Sequence, residues 1–482
     1  MYKYFVSGLL VIALPLVSCD SVNQIENASS NRVIYDKFPI TVKGYKGEKT
    51  NSVSYTGQIA RHTLHESLKK LAGKGNGKSN LALRAQMMAY YDGKEVGRSI
   101  ISPTSSKDFP VSQSAVDQIS KKNNLSDKTY KGVISGMPNQ MNGEELLKFW
   151  IDKTSGASKG QDKANGYDYP QLISKFIMGA VFYNQVVDGY LDENLEAEKK
   201  PNDKPYKAGA AYTGKEHSWD EAFGYFGTPA HTMKLSAKQV YEIAKKGSKS
   251  KPKANALKYA DYNGDGKVNL FGEMAHSPAY YASSFDKGGK TNYLVNITKA
   301  FLDGRNLLAD ANGEKLTNSQ RSKLKKYAAV IEDQWEKSLA EAVFKYAGEV
   351  YGDLAKMKVL VENKGDTSKV LKGYIKHWGE LKGFSLSLQA GRKKLGETGA
   401  KLNRLIGFGP VMPNSSQVSD IDSKGNYVKS QSSGIGEYRL HMLRIQKLML
   451  DKFDVKARSH DKLRDLDSMI KSLGKTGSAE ND

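Results

Sequence analysis

From residue 320 to residue 355 the chain reads QRSKLKKYAAVIEDQWEKSLAEAVFKYAGEVYGDLA, 36 residues without a proline. Proline ends helices, because it lacks the N–H and clashes with the turn before it. The run therefore reads as one long helix, or as two joined near Gly348 and Gly352. An element of that length commits the fold, since other helices must pack along it. Helical runs are available at residues 53–72, 171–198, 293–308, 369–388 and 436–453, with a charged final helix at 456–473. In the first of these, Ile59, Leu64, Leu68 and Leu71 lie near helical spacing, and GKGNGK then stops the run. Residues 171–198 are strongly apolar early on, as in a buried central helix. Strand-type alternation is scarce, and residues 34–43 are its best candidate. Long connections remain at 199–215 and 410–434. The expected fold is mainly α: a multi-helix bundle with long loops and little β structure. Residues 35–474 form one helical domain or two packed bundles, and 475–482 a disordered tail.

The first 18 residues, MYKYFVSGLLVIALPLVS, carry a basic Lys3 and a short apolar core. The core is too short for a membrane span, which takes about 20 residues, and reads as a secretory leader. Leu16-Val17-Ser18-Cys19 resembles a lipobox, in which small residues precede the cysteine that accepts a lipid. Cys19 is the one cysteine in the chain. The mature protein then begins at a lipidated Cys19, has no disulfide and cannot use a cysteine nucleophile. Residues 19–34 are polar and read as a flexible tether. The expected location is the cell envelope, with the membrane engaged through the N-terminal lipid and the outer membrane the favoured side.

Lys and Arg number 73 against 52 Asp and Glu. Such a balance invites a nucleic-acid reading. Only 12 of the basic residues are arginine, however, and base-edge readout leans on arginine. An exported chain would also rarely meet nucleic acid. The expected surface is solvated and lysine-rich, with no nucleic-acid partner.

Two stretches place a histidine three residues before an acid, with a tryptophan between. In GKEHSWDEAFGYFG, residues 214–227, His217 is followed by Asp220 and Glu221. In KHWGELKGFSLSLQ, residues 376–389, His377 is followed by Glu380. Side chains three and four apart share a helix face. Imidazole and carboxylate together suit iron, zinc, nickel or copper. One helix cannot close a site, so His217, Asp220 and Glu221 as one half and His377 and Glu380 as the other are candidate metal ligands. Helix-terminal electrostatics and core packing explain the same residues without a metal.

A third stretch, DYNGDGKVNLFGE, places Asp261, Asn263 and Asp265 at positions 1, 3 and 5 of a calcium loop, with Gly266 at 6. Lys267 offers a carbonyl at 7 and Asn269 a side chain at 9, but position 12 is Gly272 and Glu273 comes one residue late. Calcium here, or an Asx-rich turn, fits the pattern. In RHTLHES, His62, His65 and Glu66 stand among basic residues and read as an exposed face. No Gly-x-Ser-x-Gly elbow, Walker loop or His-Glu-x-x-His is present.

The stretches VSYTGQIAR, EHSWDEAFGYFG, DYNGDGKVNLFGE and HWGELKGFSLSLQ together resemble a lipoprotein family of Bacteroides-like bacteria classed as a domain of unknown function. That resemblance implies a helical fold and no established activity. A more distant likeness is to imelysin-like proteins, whose hallmark is Gly-x-His-x-x-Glu on a helix. Here Gly214 stands three residues before His217 and Asp220 replaces the glutamate; His377 and Glu380 keep His-x-x-Glu, with Ile375 in the glycine's place. The likeness implies an exported protein that binds a transition metal or iron-containing ligand in iron acquisition, beside an outer-membrane receptor. Its alternatives are a metal-dependent peptidase, and a structural or glycan-binding partner of an outer-membrane complex.

Overall fold

The structure, a computed structural model, describes residues 32–245, 255–390 and 395–473. Cys19, the leader, most of the tether and the 475–482 tail lie outside these residues.

The fold is mainly α. The described residues hold α1 (Thr56–Ala72), α2 (Leu81–Tyr91), α3 (Gly143–Ser155), α4 (Tyr169–Ile177), α5 (Gly214–Phe226), α6 (Ala237–Lys245) and α7 (Ala256–Ala260). They continue with α8 (Ser277–Asp286), α9 (Tyr293–Asp310), α10 (Asn318–Glu362), α11 (Ser368–Gln389), α12 (Gly396–Ile406), α13 (Gly434–Phe453) and α14 (Leu466–Leu473). Among these residues no helix is long and apolar enough to cross a membrane.

The proline-free run is a single helix. α10 extends over 45 residues, ~68 Å at 1.5 Å per residue. Thr317 and Gln320 start it with a capping box. It passes straight through Gly348 and Gly352, and α9, α11 and α13 pack along it. α4 lies against α11 and α1, and α5 against α9 and α1. One continuous apolar core runs from Tyr35 to Ala457.

The expected helix at 171–198 is shorter and wider than its sequence implies. α4 ends at Ile177, and π-type turns carry the chain through Met178–Tyr183 and Gln185–Tyr190. Ser387 of α11 opens the first of these turns. Its hydroxyl accepts from the Gly179 N–H at 3.0 Å and donates to the Lys175 carbonyl, so a foreign side chain enters the helical ladder.

Three further expectations change. Residues 34–43 are not a strand. Tyr35 and Phe38 are buried, but Pro39 removes an N–H and no neighbouring strand pairs with the segment. The 410–434 connection contains an antiparallel hairpin, β3 (Ser416–Ile421) with β4 (Tyr427–Gln431); the fold's other sheet pairs β1 (Gln161–Asp162) with β2 (Tyr167–Asp168). Hairpin β3–β4 is anchored where Tyr427 stacks on Tyr167 at 4.6 Å. The final helix begins only at Leu466, because Asp454, Arg458 and His460 all hold left-handed backbone angles.

The N-terminal segment, α5 and α9 meet at one fully buried guanidinium. Arg305 donates from Nε to Asp220 Oδ1 and from one terminal nitrogen to Glu216 Oε1, both at 2.9 Å, and from the other to Ser52 Oγ at 2.6 Å. Removing it would strand two buried carboxylates. We expect Arg305→Met to lower unfolding free energy by about 3–5 kcal/mol, read from urea unfolding curves. A loss under about 1 kcal/mol would show that the network is replaceable by packing alone.

Candidate metal centre

α5 starts at a capping box in which Thr213 Oγ1 accepts the Glu216 N–H at 3.2 Å and Glu216 Oε2 accepts the Thr213 N–H at 2.9 Å. Gly227, at φ +65°, ends the helix. The three predicted ligands do not converge. Asp220 turns toward α9, where it accepts from Arg305, from the Tyr35 hydroxyl at 2.8 Å and from the Ser54 N–H at 3.1 Å. Burial pushes its carboxyl up to about 6, and Arg305 opposes the shift. His217 and Glu221 turn the other way, toward α1. His217 Nε2 lies 3.8 Å from Glu221 Oε1, which accepts from Gln58 Nε2 at 2.9 Å. The His217 ring sits between Tyr206 and Tyr212, at 4.2 and 4.4 Å. Positions three and four along share a face only loosely, and two different neighbouring elements divide them.

His377 and Glu380 have other surroundings, with no polar partner in common with His217. α11 lays both against α10, and Glu349 of α10 joins them. Glu349, His377 and Glu380 each bring one ligand atom within 4.8 Å of the others. Among the described residues this is the one group of three histidine or acidic residues that meets so closely.

The geometry orients the imidazole. His377 Nδ1 lies 2.7 Å from Asp353 Oδ2 and therefore carries the proton that it donates there. Nε2 faces Glu349 Oε2 at 3.1 Å. A bare imidazole lone pair opposite a carboxylate oxygen is repulsive, so either a second proton or a cation belongs between them. The 3.1 Å separation is near the ~3.3 Å between ligand atoms of a tetrahedral ion with ~2.0 Å bonds. An Asp–His–metal arrangement with Asp353 behind the imidazole is the common way of orienting such a ligand.

The floor of the site is buried. Glu380 is 5% exposed and accepts from the Tyr346 hydroxyl at 3.1 Å; that hydroxyl meets Tyr281 at 3.0 Å. Glu380 Oε2 accepts no well-formed hydrogen bond and has Lys376 at 3.2 Å. Lys175 lies 3.9 Å from Oε1. Burial pulls the Lys175 ammonium well below its usual value, and Lys69 adds to the shift. Lys345 sits 3.4 Å from Glu349. The local carboxylates therefore already have ammonium neighbours, and the Lys376 side chain, 45% exposed, has room to swing aside.

The predicted calcium loop folds round its own backbone. Asp261 accepts N–H groups from Gly264, Asp265 and Gly266 at 2.8–3.1 Å. Asn263 accepts from the Asp265 N–H, and Asp265 from the Lys267 N–H. Asn269 accepts from the Phe271 N–H and from Gln113. Glu273, from its thirteenth place, accepts the N–H groups of Tyr262, Asn263 and Asn269 at 2.8–3.1 Å. Its three carboxylates do not come as close together as the group on α10 and α11.

The fold and this site define a helical protein with a histidine–carboxylate cluster between its two longest helices. Residues 44–260, a little under half of the chain, match a family described as a domain of unknown function (DUF4856). No curated protein and no solved structure matches the chain. The matched span holds α1 to α7 with His217, and leaves Glu349, His377 and Glu380 outside.

Sequence reasoning missed Glu349, Asp353 and His460. Glu349 and Asp353 stand four apart on α10 and so share a face, but nothing local ties them to His377. The RHTLHES stretch is also corrected: His62 and His65 are fully buried rather than exposed. His65 Nε2 donates to the Ser174 carbonyl at 3.0 Å, and burial, aided by Lys69 and Lys175, lowers its pKa to about 3. The unfolded chain takes up this proton near pH ~6.5, so the stability it protects is complete above that value and is lost as pH falls toward 3. Between pH 6 and 4, unfolding free energy measured in urea should fall less steeply in His65→Gln than in the parent, by about 1.4 kcal/mol per pH unit. Parallel slopes would contradict a neutral, buried His65.

Proposed function

We propose that this is a lipid-anchored cell-envelope protein that binds one divalent transition-metal ion, iron or zinc, through Glu349, His377 and Glu380. The observation that carries the reading is the convergence of Glu349, His377 and Glu380, each with one ligand atom within 4.8 Å of the others. Asp353 Oδ2 accepts from His377 Nδ1 at 2.7 Å, so Nε2, which faces Glu349 at 3.1 Å, is the ring atom left to serve as ligand. One imidazole and two carboxylates suit a borderline divalent ion. Lys376 and Lys345 act as placeholder cations that withdraw when the ion arrives. The His-x-x-Glu spacing of the imelysin-like proteins is kept at His377 and Glu380, and on that likeness the bound metal serves iron acquisition.

Protein stripped by chelator and titrated calorimetrically with Zn2+ or, anaerobically, with Fe2+ should bind about one ion per chain. His377→Ala and Glu380→Gln should weaken binding by more than the 10–100-fold typical of an outer-shell change. His217→Ala should leave it unchanged. Absence of saturable binding, or an equal loss in His217→Ala, would overturn the assignment.

The anchor rests on Cys19 behind its leader. Two or more acyl chains hold a protein stably on a membrane, at about 0.8 kcal/mol per buried CH2. Expressed in a bacterial host, the parent should sediment with membranes and incorporate a labelled fatty acid, and Cys19→Ala should do neither. A Cys19→Ala variant that still carried label would place the lipid elsewhere, and a parent without label would overturn the anchor.

A further inference from the structure

Between α13 and α14 the chain continues neither helix. Left-handed φ values at Asp454, Arg458 and His460, of +51°, +48° and +58°, bend this stretch into a strap laid across α10. Two buried side chains clamp it. Glu341 of α10 accepts the N–H groups of Lys456 and Ala457 at 2.6 Å and of Arg458 at 3.1 Å. Gln446 of α13 donates to the His460 carbonyl at 3.0 Å and accepts the Lys462 N–H at 2.9 Å. Beneath the strap lies Gly348, where a Cβ would overlap the His460 carbonyl oxygen. The glycine thus sets how closely the strap approaches α10, and it leaves the helix itself unbroken.

The strap delivers one side chain to the metal centre. His460 Nε2 stands 3.2 Å from Glu349 Oε1, while Oε2 of the same carboxylate faces His377. We propose that His460 is a positioning residue of the centre, and that docking of this strap and binding of the metal ion are thermodynamically linked. The inference rests on the metal reading above. A glutamate carboxylate rotates freely about its last bond. An imidazole N–H on Oε1 stops that rotation with Oε2 toward the ion, as Asp353 does for the ring of His377. The linkage is reciprocal: the factor by which a docked strap tightens metal binding is the factor by which metal favours docking. With its side chain 52% exposed, His460 stands on the solvent side of Glu349, whose side chain is 14% exposed.

The test uses the detergent-solubilised full chain, Zn2+ as the probe, calorimetry for affinity and hydrogen exchange for the strap. His460→Ala should weaken Zn2+ binding by about 10–100-fold. His460→Gln, which restores an N–H donor, should recover most of that loss. Gly348→Ala, which lifts the strap, should match His460→Ala. Zn2+ should slow exchange of the amides at 456–462 in the parent and not in His460→Ala. If the parent binds Zn2+ while His460→Ala binds equally tightly, His460→Gln binds as weakly as His460→Ala, or strap exchange ignores Zn2+, the linkage is wrong and the metal reading stands. If the parent binds no metal, both fall together.

Discussion

Arg305 holds the N-terminal half of the molecule in register. Its guanidinium is fully buried, with partners on α5 and on the segment that leads into α1. The pairing leaves one carboxylate in excess, and four polar hydrogens disperse that charge. The Tyr35 hydroxyl and the Ser54 N–H serve Asp220; the Thr41 hydroxyl and the Thr213 N–H serve Glu216. A buried ion pair seldom stabilises a fold more than well-packed apolar side chains would. What it does impose is a single arrangement, because no member can leave alone without stranding a charge. The orientation of α5 follows from this, with Trp219 donating to the Phe301 carbonyl at 2.8 Å and lying over Gly304 of α9.

The same network explains why two alike motifs have unlike fates. His-Ser-Trp-Asp and His-Trp-Gly-Glu place the same groups at the same spacing. In the first, Arg305 takes the acid, and the histidine is left between two tyrosine rings. In the second, α10 lies along α11 and presents Glu349 and Asp353 to the histidine. Gly379 and Gly383 matter on the other side of α11. They let α4 approach until a Cβ at residue 379 would stand 3.2 Å from the Asp168 carbonyl and one at 383 only 2.6 Å from the Lys175 Cβ. That closeness brings Lys175 beneath Glu380. The chemistry of a His-x-x-acid pair therefore belongs to the helix opposite it.

The long helices were legible from sequence: α1, α9, α10, α11 and α13 lie where apolar spacing or an unbroken proline-free run places them. Short helices such as α2 and α8 were not, since ten or so residues carry too few turns for a period to stand out. Hairpin β3–β4 was hidden because β4 is mostly exposed and shows no alternation; its anchor, Tyr427, is held by tyrosines more than 250 residues away. Burial of His62 and His65 was masked by the basic residues beside them. Of the candidate centre, His377 and Glu380 could be read locally. Glu349, Asp353 and His460 come from a facing helix and a strap, and no spacing rule relates them to His377.

The border of the matched family at residue 260 does not fall on a border of the fold. Inside the span, α5 is tied by Glu216 and Asp220 to Arg305 of α9, which lies beyond it. α4, also inside, packs on α11, and Ser387 of α11 is what widens the helix after Ile177. Residues 44–260 alone would thus expose two buried carboxylates and the apolar face of α4. The remainder would lose the helix that floors the Glu380 pocket. The physical unit that positions the candidate centre takes in both parts. Within it the centre depends on α10, and of the helices packed along it α9 and α11 are each fixed by groups from the matched span.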